Sequence, residues 1–228
     1  RLLPEEIYNN NTRADNFSGE SAWSSKGPTF PIEFDELKLN ASGLFYTGAM
    51  IFDPVTGECL RDNTLERAAL GQLLKRIKSS DIYCELYSEG QHFVETANEI
   101  TVAHAEHLRA SVQFTEFGSF IQESAPRVHK LLIGVDEREQ PDELEALEAE
   151  FPQFIFAYAR FPARPAWLFA SVIAREADKA NAFNWLLDHH EVQAEHVLAF
   201  GDSGSDIPFL QLSGTGVAMG NAERHVQT

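Results

Sequence analysis

The stretch His196-Val197-Leu198-Ala199-Phe200-Gly201-Asp202-Ser203-Gly204-Ser205-Asp206 fixes how the rest of the chain is read. A hydrophobic strand runs straight into Gly201-Asp202, and Ser203 to Asp206 open the next helix. In open α/β sheets ligands sit beyond the carboxyl ends of the strands, so a site is expected at this loop. Asp202 and Asp206, with small residues between them, make a compact acidic pocket suited to Mg²⁺. That ion takes one or two carboxylates, keeps several waters and draws further ligands from phosphate. Ser203, Ser205 and the N–H groups at the helix start can donate to a phosphate. The same residues also suit a plainer purpose, Asp202 or Ser203 capping the helix, and spacing alone leaves both open.

Outward from the loop, strands and helices alternate. Upstream lie a helix over Lys179 to His190 and strands over Phe154 to Ala159 and Trp167 to Ile173; downstream, a helix over Ile207 to Leu212 and a strand over Thr215 to Met219. That alternation predicts an α/β tail with a parallel sheet. Further upstream, Arg127 to Val135 reads as a strand and Pro141 to Phe151 as a helix with acidic residues in its first turn. Ile100 to Ala110 reads as a helix, and Ile82 to Tyr87 and His92 to Thr96 as strands. A helix is expected behind an Asn63 cap, with Leu65, Ala68, Ala69, Leu73, Leu74 and Ile77 at near-helical spacing. Leu44 to Phe52 reads as one apolar strand, followed by turn chemistry at Asp53-Pro54-Val55-Thr56-Gly57 and a second hairpin arm over Glu58 to Leu60. Residues 1–43 show no sustained period and read as an irregular arm. The chain starts at Arg1 and stops at Thr228 in a stretch that reads as helix, so both ends are expected to be cut.

Residues Phe200 to Leu210 (FGDSGSDIPFL), followed by Gly214 to Ala222 (GTGVAMGNA), closely resemble the last motif of the haloacid dehalogenase-like (HAD) phosphatases, in particular the Cof-type branch with a large α/β cap. Ala177-Asp178-Lys179-Ala180 resembles the family's lysine motif at a helix start. Leu44 to Gly57 resembles its strand and hairpin, with Thr47 in place of the usual Asn. The resemblance implies a Rossmann-like core over 44–61 and 166–228, with an inserted α+β cap over 62–165. It also implies Mg²⁺ as cofactor and a small phosphorylated substrate, commonly a sugar phosphate. Hydrolysis would pass through an aspartyl-phosphate, covalent catalysis with metal charge neutralisation. By resemblance Asp202 is a Mg²⁺ ligand, and Asp206 ligates through water or orients the loop. Lys179 balances phosphoryl charge. Thr47, Lys179, Asn221 and Ser205, the last where many relatives carry Asn, face the phosphate.

The family's first motif is an apolar strand ending in Asp-x-Asp-Gly-Thr, which carries nucleophile and general acid; a second strand ending in Thr or Ser follows it. Residues 1–43 contain neither. Asp15 follows no apolar strand, and Asp35 follows a weak one with Leu37 at the second carboxylate's position. The rival reading is therefore a non-catalytic or truncated HAD-like chain that retains Mg²⁺ or phosphate binding. A sheet lacking that strand leaves backbone groups unpaired, so Phe30 to Phe34 or another chain is expected to pair there.

Asp53, with Val55 at the partner position, reads as a hairpin residue, and Asp136, with Arg138 there, as a strand-end residue. His104 and His107, and the pair His189-His190, read as surface residues, the latter complementing a helix C-terminus. The run Phe114, Phe117, Phe120, Phe151, Phe154, Phe156 and Phe161 reads as cap core or substrate wall. The 228 residues carry a net charge of −17, which disfavours nucleic acid. Cys59 and Cys84 cannot build a disulfide framework, and no apolar run is long enough to span a bilayer. With no secretion signal visible, a reducing, cytoplasmic setting without membrane association is expected. Oligomeric state is not readable.

Overall fold

The computed structural model describes residues 41–53, 55–108, 111–160, 164–222 and 224–228. The expectations placed on the arm, on Asp15 and Asp35, on a pairing strand at Phe30 to Phe34 and on Phe161 fall outside those residues.

In chain order the strands are β1 (Gly43–Phe45), β2 (Met50–Asp53), β3 (Glu58–Asp62), β4 (Tyr83–Ser88), β5 (Gln91–Val94), β6 (Val112–Phe114), β7 (Val128–Asp136), β8 (Phe154–Arg160), β9 (Trp167–Ala174), β10 (Leu198–Gly201) and β11 (Thr215–Ala218). The helices are α1 (Arg67–Ser79), α2 (Glu99–Leu108), α3 (Glu143–Glu150), α4 (Lys179–His189) and α5 (Ile207–Leu212). They make three sheets: an antiparallel β1-β2-β3, a six-stranded β6-β5-β4-β7-β9-β8, and a two-stranded β10-β11. In the large sheet only β5 and β6 run parallel. β10 and β11 are parallel with α5 between them, the β-α-β alternation expected of the tail.

The large sheet owes its shape to strict alternation. Leu131, Ile133 and Val135 of β7 point into a core shared with Leu70, Leu73, Leu74 and Ile77 of α1 and Leu144 and Leu147 of α3. Those α1 positions recur at i, i+3, i+4 and i+7, one stripe of a helix. Phe117, Phe151, Phe154 and Phe156 join the same core, as expected of the phenylalanine run. A second core joins Tyr46, Ala49, Met50 and Phe52 of the small antiparallel sheet to Leu132, Phe169 and Ile173 on the large sheet's other face.

Four expectations are corrected. Leu44 to Phe52 is not one strand: Tyr46, Thr47 and Gly48 take φ of 51°, 62° and 103°, and the chain folds back so that Phe45 pairs with Met50. Helix α1 starts at Arg67, where the Glu66 side chain accepts from the N–H of Ala68 and Ala69, while the Asn63 N–H donates to the Ala49 carbonyl. Trp167 to Ala174 pairs with β7 and β8, so this strand, placed in the core over 166–228, is a member of the six-stranded sheet. Its residues are apolar on both faces, and pattern alone cannot say which sheet they join. Residues 220–222 and 224–226 form turns and bends rather than a helix. Among the described residues no helix is long and apolar enough to cross a membrane.

Candidate phosphate-site loop and its lysine

The loop after β10 is built around Asp206. Its Oδ2 accepts from the backbone N–H of Asp202 at 3.1 Å and of Ser203 at 3.0 Å, and from Ser203 Oγ at 3.0 Å. Its Oδ1 accepts from Lys179 Nζ at 2.5 Å. Asp206 can tuck this closely under the strand end because residue 201 is glycine. A Cβ there would sit 2.6 Å from that of Asp206. Burial raises the Asp206 pKa, but the Lys179 ammonium and the two N–H donors outweigh it and hold the carboxyl below its ordinary range.

Lys179 is the first residue of α4. Asp178 caps that helix through the Asn181 N–H, and Lys179 Nζ also donates to Ser205 Oγ at 2.9 Å. Ser205 Oγ lies 2.8 Å from Ser203 Oγ. Lysine, both serines and Asp206 therefore form one connected group. Asp202 stands apart at the rim, exposed, its Oδ2 accepting from Asn221 Nδ2 at 3.2 Å. The turn bearing Thr47 docks at the same place: Gly48 lies so close that a Cβ would meet the Ala177 carbonyl at 2.5 Å, one residue before Asp178. The structure thus gathers Lys179, Asp202, Ser205, Asp206 and Asn221, and sets Thr47 on the turn beside them.

Two residues outside the sequence reading bear on this place. His225 approaches the loop, its Nε2 3.0 Å from where a Cβ on Gly204 would stand. Lys130, on β7, sits over the Tyr87 ring at 4.2 Å. Burial and the like charge of Lys179 push its pKa down to about 8, although Glu85 opposes this. No sequence pattern links Lys130 to Lys179, which lie 49 residues apart on a strand and at a helix start and act on each other only through the fold.

The decoys behave as ordinary structure. Asp53 Oδ1 accepts from the Val55 and Thr56 N–H groups in the hairpin turn. Asp136 ends β7 and accepts from Arg138, whose guanidinium holds the carboxyl down to about 2. His189 closes α4. His104 is only partly exposed: its Nδ1 lies 2.8 Å from the fully buried Glu85 carboxylate. A cavity of about 1030 Å³ beside α1 is lined by Asp136 but by none of the gathered residues.

The loop offers a donor set suited to the Mg²⁺ that the resemblance implies. All candidate donors are oxygens, as Mg²⁺ prefers. Both Asp206 oxygens are engaged, Oδ2 by the loop and Oδ1 by Lys179, which suits the orienting role rather than direct ligation. Asp202 is the exposed carboxylate, and one carboxylate with waters and a phosphate oxygen is a usual Mg²⁺ arrangement.

Residues 31–228 match the family model for haloacid dehalogenase-like hydrolases. A Haemophilus influenzae protein named "Putative phosphatase" is 35% identical over 118 residues, which cover 51% of this chain and 42% of that protein. The chain thus spans less than half the length of that relative. Bacillus subtilis "Putative phosphatase YxeH" is 26% identical over 199 residues, covering 82% and 69% of the two chains. Among solved structures, a haloacid dehalogenase-like hydrolase from Bacteroides thetaiotaomicron superposes with a TM-score of 0.69 at 24% identity, covering 88% of this chain and 75% of that one. The HAD subclass IIB sugar phosphatase BT4131 gives 0.68 at 21%, covering 89% and 74%.

Proposed function

Given that the chain belongs to the haloacid dehalogenase-like hydrolases, we propose that it acts on small phosphorylated metabolites of the sugar-phosphate class as a Mg²⁺-dependent phosphomonoester hydrolase. The observation that carries this reading is the Lys179 ammonium, held between Ser205 Oγ and Asp206 Oδ1 at the carboxyl end of β10. A cation fixed beside two hydroxyls and a helix start is a preorganised seat for a phosphoryl group. Asp206 orients Lys179 and closes the loop's own N–H groups. Asp202, at the rim, would hold Mg²⁺, and Asn221 steadies its carboxylate. Mg²⁺ when bound would neutralise phosphate charge and polarise a phosphoryl oxygen. Thr47 and Ser205 supply hydroxyl donors to the same group.

A second reading is favoured by one sequence fact: no Asp-x-Asp pair occurs in these 228 residues, so the nucleophile and general acid of the resembled motif are missing from them. In that reading the chain binds a phosphorylated ligand and Mg²⁺ without turning the ligand over. Hydrolysis of a generic phosphomonoester, with and without Mg²⁺, compares wild type with Asp202→Asn, alongside calorimetric binding of the same ester. Mg²⁺-dependent turnover lost in the variant supports the enzyme. Mg²⁺-dependent binding without turnover supports the second reading, and neither turnover nor binding defeats both.

A further inference from the structure

Glu85 on β4, His92 on β5 and His104 on α2 meet on the face of the large sheet that carries Tyr83 and Tyr87, remote in sequence from the β10 loop. Glu85 is 0% exposed and His92 4%, while the His104 side chain is 20% exposed. His92 Nε2 and His104 Nδ1 lie 3.0 and 2.8 Å from Glu85 Oε2. One ligand atom from each of the three residues falls within 4.8 Å of the others.

His92 is the anomaly. Its ring is buried, its Nδ1 has no hydrogen-bond partner, and its Nε2 faces Glu85 Oε2 at 3.0 Å. Nitrogens of two imidazoles thus crowd one carboxylate oxygen, each within 3.0 Å of it. The ring is fixed by stacking on Tyr87, 4.9 Å between centroids and 3° between planes. Glu85 is fixed by the phenolic O–H groups of Tyr83 and Tyr87, the latter at 2.6 Å, the outer support that orients a ligating carboxylate.

We propose that Glu85, His92 and His104 form a binding site for a transition-metal dication of the zinc class. Two imidazoles and a carboxylate are the donor set such ions select, whereas Mg²⁺ and Ca²⁺ take oxygens. With metal–ligand distances of about 2.0–2.2 Å, a tetrahedral site has ligand–ligand edges of about 3.4 Å. The two edges to Glu85 Oε2, at 3.0 and 2.8 Å, would open by about 0.4 and 0.6 Å around the inserted ion, and the three ligand atoms already lie within 4.8 Å of one another. Three protein ligands leave a fourth position for water, and the partly exposed His104 is the side from which an ion enters.

The test is titration of Zn²⁺, and of Co²⁺ for its visible spectrum, into the full chain stripped with a chelator. One equivalent is expected to bind with the intense visible bands of tetrahedral Co²⁺. His104→Gln, at the partly exposed ligand, is expected to weaken it by at least the ~100-fold that losing an outer-shell partner alone can cost. Glu85→Gln gives the same loss if it folds, and His104→Gln decides if it does not. Asp202→Asn and the double variant His189→Gln/His190→Gln are expected to bind as wild type does. No saturable binding, binding that survives His104→Gln, or binding that disappears with His189 and His190 would each overturn the proposal and leave a purely hydrogen-bonded carboxylate–imidazole cluster.

Discussion

Asp206 commits both carboxylate oxygens to its own loop and to Lys179, so its removal strands the Asp202 and Ser203 N–H groups and takes the counter-charge from Lys179. Asp206→Ala is expected to cost about 2–4 kcal/mol, read from denaturant unfolding. The pH dependence has a definite sign. A carboxyl held below its unfolded value stabilises the fold at neutral pH, and that contribution is lost as pH falls below about 4. Wild type should therefore lose thermal stability in acid more steeply than Asp206→Asn, measured as the unfolding midpoint against pH. At this scale the sequence was informative for Lys179, Asp202, Ser205, Asp206 and Asn221, which sit on a loop and a helix start that local pattern specifies. It was silent on Lys130 and on the Glu85 cluster, whose members become neighbours only through strand pairing.

Among the elements, the Tyr46–Gly48 turn matters most for the site, because it closes the small sheet onto the start of α4. Gly48 needs both a φ of 103° and the room left by its missing side chain. Gly48→Ala is therefore expected to destabilise by at least ~2 kcal/mol, through left-handed strain and the clash with the Ala177 carbonyl. A drop in thermal midpoint checks this, and a matching loss of phosphoester binding checks that the turn positions the site. The elements also show where pattern reading stops. Leu44 to Phe52 is apolar except at Thr47-Gly48, too short a break for alternation to reveal the reversal there. Glu66 takes the capping role expected of Asn63 because the helix begins at Arg67, which puts Glu66 at the N-cap and within reach of the Ala68 and Ala69 N–H groups. The apolar β9 joined the large sheet because Ala170 and Val172 fit the core beneath Leu131.

For the whole molecule, the second core is the joint between sheets. Met50, 0% exposed, lies there with Tyr87, Leu132 and Phe169 across the seam. Met50→Ala should cost roughly 3 kcal/mol, and if the sheets are one cooperative unit, far-UV and near-UV circular dichroism will still melt together. β10 offers a contrast: among the described residues it pairs only with β11, and its Leu198 and Phe200 are 57% and 56% exposed. The α/β class was readable from the strand–helix alternation, but which strands share a sheet depends on pairings between distant parts of the chain.

At that seam Lys130 of the large sheet is disfavoured as a cation by its burial and, to a lesser extent, by the like charge of Lys179 at the head of α4. With its pKa pushed down to about 8, Lys130 is only partly charged in mildly alkaline solution. An anion held at Lys179 would offset that like charge, and Lys130 would take up a proton from the buffer as it bound. Binding heats for a phosphorylated ligand at pH 8 should then differ between buffers in proportion to their ionisation enthalpies, and Lys130→Met should abolish the difference. The docking of one sheet on another would thereby write itself into the proton balance of recognition.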